Sequence, residues 1–288
     1  KGYVDIMYGC NKFCTYRIVP YTRGKERSRR MSDIIREVKQ LIQNGGKEVI
    51  LLGQNVNAYG KDLGMDDGFT DLLIAVAETG IDRIRFYSSS PRDYSESTIQ
   101  AMLDHPNIMP ALHLPVQSGS NEVLRRMARG YTVEQYKEVF DRLKSKIPNI
   151  TFTTDLIVGF PQETDEEFRD TIALVDYCKF DGAFSFMYSP REGTPAARMD
   201  GQIDVAVKKE RLHELNEHIN HWAKENNQKY LHKTVKVLCE GRSKKNAAVY
   251  SGYSEELVNF TGQEGLENQI VEVEITEVRS FSLNGKAL

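Results

Sequence analysis

Two cysteines and an arginine near the start of the sequence raise the first chemical question. Residues 8–30 read "YGCNKFCTYRIVPYTRGKERSRR", with three residues between Cys10 and Cys14 and an arginine at position 17. Cysteine thiolates are the usual ligands of iron–sulfur clusters. A guanidinium is permanently charged and only donates hydrogen bonds, so Arg17 cannot bind iron. Two neighbouring cysteines are more often small buried apolar residues than ligands, and the pair alone leaves the site undecided.

The composition is that of a globular protein and limits its partners. The sequence has 288 residues, of which 40% are hydrophobic, and a formal net charge of −3. A chain of this length can bury a large core, and nucleic-acid binding would have to come from local basic patches. No apolar run is long enough to span a membrane, and the first residues do not resemble a signal peptide. We therefore expect a cytoplasmic protein without membrane association, and we expect a monomer.

The first two thirds of the sequence predict an α/β fold. Short apolar runs alternate with helical periodicity, which is typical of parallel strands joined by helices. Helices are expected to start at Ser32 and at Thr164, the latter with Glu167 placed for a capping box. The strand candidates are YVDIM, EVILLG, RIRFYSS, ALHLPV, TFTTDLIVGF and AFSFMYS. The pattern fits a parallel barrel or a doubly wound sheet, and in both folds the polar loops after the strands would form the ligand site.

The last third of the sequence has a different pattern of apolar and polar residues. A long helical stretch after Asp204 carries Leu212, Leu215, Ile219 and Trp222 on one face and reads as a connector. From Lys233 onward, short alternating strands separated by glycines predict a small antiparallel β-barrel. We therefore expect two domains, residues 1–230 and 231–288.

Two basic patches are candidates for RNA contacts. The residues of these patches are Arg23, Lys25, Arg27, Arg29 and Arg30 in the first and Arg242, Lys244 and Lys245 in the second. Such residues bind phosphates and position a nucleic acid, and the alternative for the first patch is a solvated loop. Three histidines, at positions 213, 218 and 221, lie in the connector helix, where a solvated face is favoured over a metal site.

Read whole, the cysteine stretch resembles the cluster loop of the radical S-adenosylmethionine (SAM) enzymes, whose pattern is C-x3-C-aromatic-x-C. More closely, it is similar to the methylthiotransferases that modify tRNA, in the branch that makes 2-methylthio-N6-isopentenyladenosine next to the anticodon. Further segments that resemble this branch are LLGQNVNAYG at 51–60, HLPVQSGSNEVLRRMARGYT at 113–132, DLIVGFPQET at 155–164 and YSPREGTPAA at 188–197. The terminal strands resemble the TRAM domain, a small RNA-binding barrel.

The resemblance implies a partial parallel (β/α)6 barrel and a definite chemistry. A [4Fe-4S] cluster would reduce SAM to a 5′-deoxyadenosyl radical, which abstracts hydrogen from C2 of the adenine before sulfur from a second cluster is inserted and methylated. Cys10 and Cys14 would be cluster ligands. The implied cofactor-binding residues are Tyr16, Gln54, Asn55, Ser90, Gln117, Ser118 and Asp155. The implied partners are the tRNA anticodon stem-loop and an electron donor such as flavodoxin or ferredoxin. No residue is assigned a catalytic role.

Three departures from this family pattern bear on activity. Arg17 stands where the family has its third cluster cysteine, and Ser90 stands where it has the histidine of a Ser-His-Pro segment, here Ser89-Ser90-Pro91. The second [4Fe-4S] cluster belongs to an amino-terminal domain that we expect this chain to lack as a fragment. We therefore expect impaired activity. The alternatives are a cluster-free RNA-binding protein with the same fold and a sister methylthiotransferase that acts on threonylcarbamoyladenosine or on ribosomal protein S12.

Overall fold

Parallel strands alternate with helices along the first part of the chain. The structure is a computed structural model and describes residues 1–87, 90–244 and 246–288; Ser89 and Lys245 lie outside the described residues. The strands of this part are β1 (Gly2–Asp5), β2 (Met7–Tyr8), β3 (Arg27–Ser28), β4 (Glu48–Leu52), β5 (Arg83–Phe86), β6 (Ala111–His113), β7 (Thr151–Val158) and β8 (Gly182–Met187). The helices are α1 (Val19–Arg23), α2 (Met31–Gln43), α3 (Gly68–Ala77), α4 (Glu96–Asp104), α5 (Asn121–Arg126), α6 (Val133–Lys146), α7 (Asp165–Cys178) and α8 (Val205–Asn227).

Within the described residues, six parallel strands form an open barrel. They pair in the orders β1-β4-β5 and β6-β7-β8, and a parallel bridge between Ile84 and Ile108 joins the two groups. Tyr3 of β1 and Phe184 of β8, from the two ends of this series, line the same cavity. The sheet therefore curls around a lumen. The predicted partial (β/α)6 barrel is confirmed, and the doubly wound alternative is excluded.

The alternation of side chains along β7 shows how the barrel divides its two faces. Phe152, Leu156 and Val158 are buried against the helices, whereas Asp155 and Ile157 are less buried and line a cavity at the barrel mouth. Successive side chains of a strand point to opposite faces, so one strand serves the core and the ligand site together.

The helix starts agree with prediction at one of the two positions. Thr164 caps α7, with both hydrogen bonds of a capping box to Glu167, as predicted. The prediction for Ser32 is wrong, because α2 begins at Met31 and Ser32 is its second residue. The N-cap residue is Arg30, whose extended backbone precedes the helix without a side-chain cap.

The last described residues form a small closed barrel. Its strands are β9 (Thr234–Arg242), β10 (Tyr250–Tyr253), β11 (Leu257–Thr261), β12 (Ile270–Val278) and β13 (Leu283–Ala287). They close in the order β10-β11-β13-β12-β9. The predicted small barrel is confirmed, but β11 and β13 pair in parallel while the other pairings are antiparallel. A closed ring with an odd number of strands cannot alternate direction all the way round, so one parallel pair is unavoidable.

Helix α8 connects the two barrels and packs on the first. Leu215 and Ile219 are buried in the main core, and Asp176 of α7 accepts hydrogen bonds from Trp222 Nε1 at 2.7 Å and pairs with His218 Nδ1 at 2.9 Å. The described residues contain no group of three or more His, Cys, Asp or Glu side chains that could hold a metal ion.

The small barrel docks at the amino ends of the parallel strands. Arg83 donates to the backbone oxygens of Tyr253 at 2.6 Å and Lys236 at 2.7 Å. Arg85 donates to the backbone oxygen of Ser254 and, through Nε, to Glu48 Oε2 at 3.0 Å. Both arginines are buried at this contact. A second cavity of 740 Å³ lies here, between the lumen and the small barrel.

Candidate functional site

A cavity of 560 Å³ opens at the carboxyl ends of the parallel strands. This is the end at which ligand sites form in parallel barrels, and the volume is within the range of small-molecule sites. The loops after β4, β5 and β6 and the end of β8 supply the walls. The predicted cofactor residues that line it are Tyr16, Gln54, Asn55, Ser90, Gln117 and Asp155.

Gln117 and Asp155 are held together by the backbone. Gln117 has a φ of 81°, a left-handed conformation that side chains other than glycine rarely adopt. Its N–H donates to Asp155 O, and its own carbonyl accepts from Ile157 N, both at 2.9 Å. The loop after β6 is thus fastened to β7. Beside it, Asp155 Oδ1 lies 3.3 Å from Nε2 of His113, which also lines the cavity.

Ser118 is the predicted cofactor residue that the structure does not bring to the cavity. It is fully buried, its Oγ lies 3.2 Å from Thr171 Oγ1 of α7, and it accepts a hydrogen bond from Ser120 N at 3.1 Å. The Ser118 side chain therefore links the loop after β6 to α7 and fixes the backbone next to Gln117.

The two cysteines of the predicted cluster loop are buried beside the cavity. Cys10 Sγ accepts a hydrogen bond from Lys12 N at 3.4 Å, and Cys14 Sγ accepts one from Arg129 Nη1 at 3.4 Å. The loop is anchored to the end of α5, because Thr15 N donates to Met127 O at 3.1 Å. The loop is therefore shaped by contacts to the protein on both sides of its thiols.

Arg17 extends into the cavity and donates from Nη2 to Gln54 Oε1 at 3.0 Å. In the C-x3-C-aromatic-x-C pattern that this loop resembles, the third cluster cysteine stands at this position. Two thiols and a donor-only cation do not make the three-cysteine set that a [4Fe-4S] cluster of this class needs. Among the described residues no other side chain completes a metal-ligand group. The residues present therefore do not fit the cluster.

The cavity is also lined by cationic side chains that the sequence did not identify as site residues. The lining includes Lys12, Arg129 and Arg191, and Asp155 supplies its only carboxylate among the described lining residues. Lys12 Nζ donates to Asp93 Oδ2 at 2.7 Å and to Ser90 Oγ. Burial lowers the pKa of Lys12, and Asp93 opposes that shift. The presence of Lys12 within the cysteine loop was the available signal, but the sequence does not tell where such a long side chain points.

Two polar atoms of the cavity lining remain unpaired. Asn55 Oδ1 and the Tyr188 hydroxyl are buried and have no hydrogen-bond partner among the described residues. Buried polar groups are nearly always paired in folded proteins. Both residues line a cavity rich in charged and polar groups, and the cavity therefore fits a polar small molecule.

The first basic patch follows the cysteine loop, part of which lines the cavity. Strands β2 and β3 pair through Tyr8 and Arg27, which places the patch beside the cysteine loop. Arg23, Lys25, Arg27 and Arg30 are exposed and make no ion pair or side-chain hydrogen bond with the described residues.

Arg29 differs from the other residues of this patch. It pairs with Glu37 at 2.8 Å and donates to Asp5 O at 2.6 Å, so it holds the fold together. In the second patch Lys244 is exposed, and Arg242 stacks 4.0 Å above the Tyr250 ring. Lys245 lies outside the described residues.

Family comparisons agree with the two barrels. The model of the radical SAM superfamily matches residues 4–175, and that of the TRAM domain matches residues 228–288. The chain belongs to the radical SAM superfamily. A solved radical SAM enzyme, coproporphyrinogen III oxidase from Escherichia coli, has a TM-score of 0.57 and 14% identity over 88% of this chain and 66% of its own. The methyltransferase TsrM from Kitasatospora setae has a TM-score of 0.57 and 15% identity over 68% of this chain and 38% of its own. At such identities the likeness concerns the fold alone.

Curated radical SAM relatives are much more similar in sequence. The tRNA-2-methylthio-N(6)-dimethylallyladenosine synthase of Bacillus cytotoxicus is 53% identical over 99% of this chain and 57% of its own length. The synthase of the same name from Alkaliphilus oremlandii is 52% identical over the whole chain and 62% of its own length. The chain thus spans little more than half the length of these relatives.

In the described residues no helix is both long and apolar enough to cross a membrane.

Proposed function

We propose that the full-length protein belongs to the methylthiotransferases that act at C2 of N6-isopentenyladenosine next to the anticodon of tRNA. The observation that carries this proposal is the 53% identity to a tRNA-2-methylthio-N(6)-dimethylallyladenosine synthase along 99% of the chain. Since the chain spans 57% of that relative, the activity is proposed for the whole protein. The part described here would bind SAM and RNA.

SAM is the proposed occupant of the cavity at the carboxyl ends of the strands. Asn55 and Tyr188 line the cavity, and amide and hydroxyl side chains such as theirs bind amine and ribose groups. Asp155 supplies a carboxylate for its amino group, whereas Arg191 could pair with its carboxylate. Tyr16, Gln54, Ser90 and Gln117 complete this proposed site, and Ser118 is assigned a positioning role behind it.

The radical step is not assigned to this chain, because its residues do not fit the cluster that would start it. Arg17 therefore favours a second candidate, a cluster-free RNA-binding protein that kept the fold. Cys178 and Cys239 are each buried in a different element, α7 and β9. The second cluster that the resemblance implies would accordingly have to be held by residues other than these 288.

The partners follow from the same relatives. The TRAM match and the tRNA-modifying relatives support tRNA as the RNA, with the anticodon stem-loop as the part bound. A flavodoxin or ferredoxin as electron donor, a cytoplasmic location and a monomeric state stay predictions. We also propose the domain boundary near residue 230, which is supported by the TRAM match from residue 228 and by the end of α8 at Asn227.

Iron and sulfide quantitation after anaerobic reconstitution separates the two candidates. The protein, Arg17→Cys and the control Arg17→Ser are compared, each with an electron paramagnetic resonance spectrum after reduction. About four irons per chain in Arg17→Cys alone would support a methylthiotransferase silenced at one ligand. A cluster absent from every variant would favour the cluster-free RNA-binding protein.

A further inference from the structure

Two large aromatic side chains stand in solvent at the rim of the candidate SAM cavity. Phe13, between the two cysteines, is 61% exposed, and Tyr21 of α1 is 59% exposed. Their ring centroids are 5.9 Å apart and the rings meet edge to face at 76°. Burial of such rings is strongly favourable in folded proteins, so an exposed pair at a cavity rim calls for an explanation.

The edge-to-face arrangement leaves ring faces open. When the edge of one ring meets the face of the other, both faces of the first ring and one face of the second remain uncovered by the pair. Flat apolar groups such as nucleobases stack on faces of this kind, and they do so with little regard for sequence. The Phe13–Tyr21 pair therefore offers surface for more than one base.

The charge around the pair selects the class of ligand. Arg23 lies two residues beyond Tyr21, and Lys25 and Arg27 follow on the segment that pairs with β2. These three cations are exposed and make no ion pair with any described residue. Unpaired cations beside open aromatic faces are the combination with which proteins hold a single-stranded nucleic acid.

The pair also flanks the entrance of the cavity. Lys12, next to Phe13, and Ile18 and Val19, which precede Tyr21, all line the cavity. A nucleotide stacked on the pair would thus neighbour the nucleotide that enters. Duplex bases are already stacked on one another and offer no free faces, so the ligand must be an unpaired loop.

We propose that Phe13 and Tyr21 form a platform on which unpaired bases of an RNA loop stack, while Arg23, Lys25 and Arg27 contact its phosphates. This proposal rests on the proposed function, because the loop is taken to be that of the tRNA substrate. The cations give affinity, and the platform sets which part of the RNA faces the cavity.

Binding of a synthetic anticodon stem-loop RNA, with 2-aminopurine in its loop, tests the platform. Phe13→Leu and Tyr21→Leu should each weaken binding by about fivefold to about a hundredfold, the range of one lost base–aromatic stack. The quenching of 2-aminopurine on binding should fall, and the salt dependence should stay unchanged because no cation is removed. Phe13→Trp should keep the affinity, which shows that the loop still folds around a large ring. Tyr177→Leu is the matched control, since Tyr177 is an exposed tyrosine of α7, outside both basic patches.

The outcomes separate this proposal from the proposed function. Salt-dependent binding of the stem-loop that is equal in Phe13→Leu, Tyr21→Leu and the unchanged protein would overturn the platform and leave tRNA binding intact. An equal loss of affinity for a fully paired RNA of the same length would overturn the stacking of loop bases. A protein that does not bind the stem-loop at all would overturn both proposals.

Discussion

The Arg17 guanidinium donates to Gln54 Oε1 across 3.0 Å inside the candidate SAM cavity. This contact puts a fixed positive charge in a cavity that already contains Lys12, Arg129 and Arg191. The affinity of the cavity for a ligand should therefore depend on the charge of that ligand.

Arg17→Gln should strengthen binding of SAM more than binding of its thioether analogue S-adenosylhomocysteine. The two ligands have the same amino acid and nucleoside, but only SAM carries a sulfonium charge that the guanidinium repels. At an effective dielectric constant of about 20, removal of one charge at about 8 Å changes affinity by roughly thirtyfold. Isothermal titration calorimetry of both ligands measures the ratio. The exposed Arg36→Gln serves as control, and an equal change for both ligands would show that Arg17 does not sense the sulfonium.

Neutralisation of exposed cations of the first basic patch should reduce the salt dependence of RNA binding. Lys25→Gln and Arg27→Gln each remove a cation without a partner among the described residues. The slope of log affinity against log salt should fall by about 0.7 for each lost contact to a single strand. Arg29→Gln should leave the slope unchanged and lower stability, because Arg29 is paired with Glu37. A slope that changes for Arg29 and not for Arg27 would contradict this division of roles.

Two glycines of the cysteine loop region provide a matched test of backbone crowding. Gly9 and Gly24 have φ values of 75° and 74°, but a Cβ on Gly9 would lie 2.1 Å from Lys25 O, whereas among the described residues nothing lies within 4 Å of one on Gly24. Gly24→Ala should cost about 1–3 kcal/mol for its backbone alone, because a φ of 74° with a ψ of −162° is essentially confined to glycine. Gly9→Ala should cost at least about 2 kcal/mol more, because the chain carrying Lys25 must move. Urea unfolding gives both values, and equal losses would mean that the loop yields freely.

Glu256 makes stability depend on pH at the contact between the two barrels. Burial and the nearby Asp181 carboxylate raise its pKa from 4.5 to about 7, with Glu255 adding to this shift and Lys229 and Arg85 opposing it. An acid with a raised pKa favours folding while it is protonated. Its contribution is complete below about pH 4.5 and is lost as the pH rises through about 7. Glu256→Gln should therefore remove this loss.

Urea unfolding at pH 5 and pH 8 measures the effect of Glu256→Gln. The variant should be more stable than the unchanged protein at pH 8 by about 2–3 kcal/mol and within about 1 kcal/mol of it at pH 5. Glu264→Gln, at an exposed position of the small barrel, is the control. A variant that is less stable at pH 8 would show that the charged carboxylate has a favourable partner.

The sequence predicts the elements of this fold well where apolar patterns are long. The runs around Val49, Ile84 and Phe152 form strands, and each of these three residues is buried in the core on the helix side of the barrel. The pattern did not locate the start of α2. Ser32 has a side chain suited to the N-cap position, but the N-cap residue is Arg30 and the helix begins at Met31.

The candidate site was predictable to the extent that it follows strand ends. The residues after β4 and β6, such as Gln54 and Gln117, line the cavity as position alone suggests. Ser118 is adjacent to Gln117 but points to Thr171, because the left-handed backbone at Gln117 turns the chain away. Ion pairing between residues that are distant in the sequence, as for Arg126 and Glu167, depends on the folded chain and carries no sequence signal.

The larger barrel holds the small barrel through backbone oxygens, so these contacts do not depend on the side chains of the small barrel. Arg83 and Arg85 reach backbone oxygens at Lys236, Tyr253 and Ser254, and every amino acid supplies such an oxygen. Substitutions at those three positions of the small barrel leave the acceptors in place, whereas the two arginines of β5 have no substitute of equal reach and fork geometry. The side chains of the small barrel at these positions can therefore vary, while its contact with the larger barrel stays the same.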